Sequence, residues 1–174
     1  MTVIEINKQV QTIQPVRLPK QEPPQIFIAH CSLSKKLLEN IERIIINEKI
    51  KPFMANQADY GTNMVEQIVQ AVSNSEALFA ILSISSFKKQ STRDWIFFEL
   101  GVAKGIWKKT VSKISGSNKI YVWRDDRIKI PDLNLVKNIT EHKLFKMNSK
   151  KSRDVMLEEM KTVARTISIM SRTI

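Results

Sequence analysis

The sequence is poor in the residues that build several common kinds of site. Its single cysteine, Cys31, excludes an internal disulfide and any multi-cysteine metal centre. The two histidines, His30 and His142, stand too far apart for metal-ligand spacing, so no metal is expected. Four glycines in 174 residues leave no glycine-rich phosphate loop, which argues against a P-loop enzyme or a Rossmann dehydrogenase. No run approaches the roughly 18 apolar residues of a membrane helix; the longest apolar stretches are short, such as 78–82. The opening MTVIEINKQV has no basic start followed by an apolar block, so no secretory signal is expected. A reducing cytoplasm is the expected setting.

What is present suits one ordinary domain with a tail. A hydrophobic fraction of 43% is enough to bury a core. The net charge of +11 comes mostly from two segments. Residues 85–113 carry seven Lys/Arg against two acids, and residues 143–174 carry eight against three. A basic surface can attract nucleic acid, anionic lipid or a phosphorylated ligand. No nucleic-acid module accompanies the charge, so a lysine-rich solvated face is the simpler reading and nucleic acid is not the expected partner.

Residues 1–24, with their Gln and Pro, read as a flexible N-terminal arm. The domain then spans 25–174. Apolar runs at 26–29, 50–54, 77–82 and 119–123 read as strands, with a weaker fifth strand in 135–140. Pro52 cannot donate to a ladder, which places the second strand at a sheet edge. Between them, Leu37, Leu38, Ile41, Ile44 and Ile45 recur at helical spacing after a Ser32 or Ser34 cap. Asn63 with Glu66 resembles a second helix start. A loop covers 83–91. Ser91 or Thr92 then caps a helix to about Trp107, apolar nearly all round. A final helix covers about 149–174, with Met156, Met160, Val163, Ile167 and Met170 as its stripe. Strands alternating with helices predict an α/β, flavodoxin-like doubly wound fold: a five-stranded parallel sheet with helices on both faces. Such folds take ligands beyond the C-terminal strand ends, at the switch point. The loops there are 29–34, 55–63 and 83–94.

Three groups of residues in that region could carry chemistry. Glu99 lies in an otherwise apolar helix, and Glu is seldom buried without a partner or a task. Trp95, four residues earlier, projects from the same helical face. An indole beside a carboxylate offers a stacking plate and a negative charge. That pair suits a flat ring leaving a sugar, because positive charge then builds on the ribose carbon. The competing reading is a salt bridge from Glu99 to a lysine, with Trp95 as core filler. The second group is His30-Cys31-Ser32, whose small polar groups and helix-start amides could hold a phosphate or ribose hydroxyl; ordinary helix capping competes. The third is Asp59-Tyr60-Gly61-Thr62, where Gly61 permits a turn close to a ligand.

Together these residues resemble a TIR (Toll/interleukin receptor) domain, in particular its stand-alone microbial relatives, over roughly 25–145. Ile26-Phe27-Ile28-Ala29-His30-Cys31-Ser32 is similar to the family's first box. Residues 50–61 resemble its second strand and mobile loop. Residues 66–75 resemble the end of its second helix. Trp95-Ile96-Phe97-Phe98-Glu99-Leu100 matches its Trp-x-x-x-Glu-Leu helix. Three features depart from the family: Tyr60 stands where a proline usually precedes the loop glycine, Ala29 where a serine is usual, and no Phe-Trp pair lies near Phe145. The resemblance implies an NAD+ glycohydrolase or cyclase that breaks the nicotinamide–ribose bond, giving nicotinamide and ADP-ribose or a cyclic form, in defence or stress signalling such as antiviral defence. NAD+ is then a substrate, and no cofactor is required. Glu99 would be catalytic. Trp95 would stack on a ring of the dinucleotide, Ala29, His30, Ser32 and Ser83 would line the pocket, and Asp59, Tyr60 and Gly61 would gate it. Self-association through TIR–TIR contacts is implied, and a separate effector or sensor protein would be a further partner. Two alternatives follow. One is a non-catalytic TIR scaffold docking through Lys88 and Lys89. The other is a nucleoside deoxyribosyltransferase-like enzyme, for which no clear second acid pairs with Glu99.

Overall fold

The structure, a computed structural model, describes residues 22–30, 33–54, 63–110, 119–128 and 141–172. The N-terminal arm read at 1–24 and the predicted strand at 135–140 lie almost wholly or wholly outside these residues. Five parallel strands form one sheet: β1 (Gln25–His30), β2 (Lys51–Met54), β3 (Ala77–Leu82), β4 (Lys119–Asp125) and β5 (Glu141–Phe145), in the order β2-β1-β3-β4-β5. This is the doubly wound order whose switch point falls between β1 and β3. Pro52 sits on the edge strand β2, where a missing N–H costs no ladder bond on the open side. The fifth strand is Glu141–Phe145, later than the 135–140 expected from its apolar residues. Its pairing with β4, Tyr121↔Glu141 through Asp125↔Phe145, outweighs its charged sequence.

Strand alternation divides the core in two. Ile26, Ile28, Phe79, Ile81, Tyr121 and Trp123 face one side, under α1 (Lys35–Asn47) and α5 (Lys150–Met170). Phe27, Ala29, Leu78, Ala80 and Val122 face the other, under α2 (Met64–Ser73) and α4 (Gln90–Thr110). Every residue of β3 is buried, which explains its unbroken apolar sequence. On the first side Phe79 meets Tyr121 and Trp123 at ring-centroid distances of 5.7 and 5.0 Å.

The helix ends follow local rules. Ser34 caps α1, its Oγ accepting from the Leu37 N–H at 3.4 Å. At the other end Lys49 takes φ 61°. Its N–H donates to Ile46 O at 2.9 Å, and the Ile50 N–H to Ile45 O at 3.2 Å, the paired bonds of a Schellman ending. Asn63 precedes α2 as expected but makes no side-chain cap bond, so the Asn63–Glu66 capping box is not formed. The segment read as a loop at 83–91 contains a single helical turn, α3 (Ile84–Phe87), and α4 already begins at Gln90. The Arg93 N–H donates to Lys89 O at 3.0 Å, so Ser91 and Thr92 lie inside the helix and do not cap it. No described helix is long and apolar enough to cross a membrane.

Candidate active site

Helix α4 packs over β1 and β3, beside α2. Its sheet-facing stripe is Ile96, Leu100, Ala103 and Trp107, all buried, at spacings of three and four residues. Glu99 falls within that stripe and is only 1% exposed. The sheet below α4 carries alanines Ala29 and Ala80 as Cα partners on β1 and β3. The first turns of α4 add half-buried aromatics. Trp95 and Phe98 lie 5.3 Å apart by ring centroid, and Phe97 meets Phe87 of α3 edge-on at 6.2 Å.

Within this apolar layer Glu99 stands alone. Neither carboxyl oxygen makes a hydrogen bond among the described residues, and no ion pair reaches it. The competing salt-bridge reading of Glu99 therefore finds no lysine partner among the described residues. Burial pushes the Glu99 pKa up to about 8, and the Trp95 indole beside it offsets part of that rise without reaching hydrogen-bond geometry. At neutral pH the group is mostly a neutral acid. An unpaired carboxyl in a dry site ionises readily only when positive charge arrives beside it.

The other sequence-predicted residues divide among several places. Ala29 is fully buried on the α4 side of the sheet. His30, at the end of β1, continues the alternation of Ile26 and Ile28 toward the opposite side. Its Nδ1 is buried without a hydrogen-bond partner among the described residues, and burial lowers its pKa, so the ring is neutral at pH 7. Ser83, just past β3, is buried, with its Oγ 3.0 Å from the Ser85 Oγ. Ser32, Asp59, Tyr60 and Gly61 lie outside the described residues. The structure thus joins Trp95 with Glu99 in one layer above Ala29, and sets His30 and Ser83 at the C-terminal strand ends flanking the switch point. A separate cleft of about 660 Å³ opens between the starts of α1 and α5 and holds none of these residues.

Fold and site define a doubly wound α/β protein of flavodoxin-like topology, with an acid buried beside its switch point that has no partner among the described residues. The same fold is found in diflavin flavoprotein A3 from Nostoc sp., with a TM-score of 0.55, 14% identity, and 88% of this chain and 98% of that chain covered. It is found too in the CMP N-glycosidase BcmB from Clostridium botulinum, with a TM-score of 0.51, 12% identity, and 80% and 98% covered. The TIR domain of the Toll-related receptor TRR-2 from Hydra magnipapillata is similar at a TM-score of 0.47, with 15% identity and 80% and 97% covered. At these identities the likeness is one of fold. No family model matches the chain, and no curated protein matches it significantly.

Proposed function

We propose that this protein hydrolyses an N-ribosyl bond, with NAD+ as substrate and Glu99 as the catalytic residue. The observation that carries the reading is Glu99 itself: buried, unpaired, beside an indole, on a helix over the switch point. A carboxyl kept in that state costs stability, which a structural role does not explain. The sequence resemblance to TIR enzymes supports the same assignment. So does the fold, which also carries an N-glycosidase acting on CMP.

In the proposed reaction the bond between the ribose C1′ and the nicotinamide nitrogen breaks. Both bonding electrons leave with the ring, which departs neutral. The ribosyl carbon becomes cationic, and ionised Glu99 stabilises it. Water adds to C1′ and loses a proton, giving ADP-ribose; attack by the adenine of the same molecule gives a cyclic product instead. Trp95 stacks on a ring of the dinucleotide, and Ala29 and Ser83 line the approach, while the roles of Ser32 and of Asp59, Tyr60 and Gly61 rest on the sequence resemblance alone. The cationic nicotinamide itself favours ionisation of Glu99 on binding. Because the ionised form is active, kcat/KM rises with pH through about 8 and levels above it. Self-association through TIR-like contacts would complete the assembly.

A second reading, a non-catalytic interaction module, is favoured by one fact: at 1% exposure Glu99 touches no solvent in this state. The deciding experiment offers the purified chain NAD+, CMP and a deoxynucleoside in parallel and identifies the products by chromatography. Release of nicotinamide alone supports the first reading. Cytosine release or base exchange moves the substrate elsewhere, and concentration-dependent assembly without any product favours the scaffold.

A further inference from the structure

The cleft between the starts of α1 and α5 lies on the sheet side away from Glu99. Its volume of about 660 Å³ is in the range of small-ligand pockets. Three cations line it, Lys36, Lys150 and Arg153, against one acid, Asp154. Among the described residues none of the four makes an ion pair, whereas the neighbouring Lys35 pairs with Glu39 at 4.0 Å. Ser85, whose Oγ lies 3.0 Å from the Ser83 Oγ, and Leu157, an apolar wall, line it as well.

Two features set this cleft apart from an ordinary lysine-rich face. The first is a built support for Arg153. Asp125 is fully buried and accepts the N–H of Met147 at 3.2 Å while gripping Arg127 at 2.8 Å. The Met147 carbonyl in turn accepts from Arg153 Nη1. A buried acid thus fixes the backbone that anchors the guanidinium, and the rest of its fork is left for the cleft. The second is charge placement. Neither α1 nor α5 has an acid in its first turn. Instead Lys35 and Lys36 open α1, and Lys150, Lys151 and Arg153 open α5. Cations at helix N-termini oppose the macrodipole. Here two such ends converge with their cations on one concavity. A dianion seated there relieves both the mutual repulsion of the cations and their conflict with the two dipoles.

We propose that this cleft binds a phosphate monoester of a small organic group: the phosphate between Lys36, Lys150 and Arg153, the organic part against Leu157. The site is separate from Glu99 and does not depend on the reaction proposed there. Calorimetric titration of the full chain with AMP, and with adenosine as its uncharged match, tests it. AMP is expected to bind and adenosine not. In the double variant Lys36→Glu, Lys150→Glu, which leaves the Arg153–Met147 anchor in place, AMP affinity is expected to fall about tenfold or more, while the ligand-free melting temperature rises, because acids now sit at the helix starts. The opposite signs separate a ligand site from a structural role. Lys161→Glu, the same kind of charge reversal at half the size and farther along α5, should leave affinity within about twofold, and Glu99→Gln should leave it intact. Absence of AMP binding overturns the proposal. Equal loss in Lys161→Glu, which signals bulk charge, or loss in Glu99→Gln, which moves the ligand to the other site, overturns it as well.

Discussion

Glu99 holds its proton more tightly in the fold, with a pKa of about 8, than at its ordinary value of 4.5. Between those values the native state binds more protons than the unfolded chain, so stability falls as pH rises through the window. Glu99→Gln removes the ionisable group at nearly constant shape. The variant is expected to be more stable than wild type by roughly 5 kcal/mol at pH 9 and to differ little at pH 4, as read from urea unfolding at both pH values. An equal difference at both would mean that the carboxyl has a partner or water in solution. The Trp95–Glu99 pairing was legible in the sequence because a spacing of four fixes a shared helical face. Whether a lysine met the acid was not legible, since that depends on how deep the helix lies under its neighbours. Asp125 was missed for a related reason: it reads as one more acid of a polar turn, and only the fold closes the Arg127 and Met147 donors around it.

At the scale of elements, α1 shows how far local rules reach. Its Leu37, Ile41 and Ile45 stripe is plain in the sequence and present in the fold, and of the two caps the sequence offers, Ser32 and Ser34, the fold uses Ser34. Ser34→Ala should cost about 1 kcal/mol. The αL residue at its end is Lys49, where most helices use glycine. Lys49→Gly should therefore gain up to about 1 kcal/mol; thermal melts of both variants check the two signs. Elsewhere tertiary context prevailed. The strand β5, Glu-His-Lys-Leu-Phe, has no apolar run, and its ladder with β4 creates it. The turn of α3 escapes detection because four residues carry no period. The β2 edge was legible from Pro52 alone.

For the whole molecule, the alternation of strands and helices was enough to give the doubly wound sheet and its switch point. It did not reveal which cations would meet, because the starts of α1 and α5 are more than a hundred residues apart in sequence. The signal was nonetheless there, in first turns that carry lysine and arginine where acids are favoured. The proposed activity also has a consequence at this scale. If TIR-like contacts complete the site, nicotinamide release per protomer rises with protein concentration in step with assembly seen by sedimentation; a constant specific rate would place the whole site in one chain. The central claim remains that Glu99 carries N-ribosyl cleavage, and the most direct measurement is nicotinamide release from NAD+ at high protein concentration by wild type and Glu99→Gln. Release by the wild type is expected, with a fall of about a thousandfold or more in a variant that stays folded. Undiminished release by Glu99→Gln, or none by the wild type under assembling conditions, would contradict that claim.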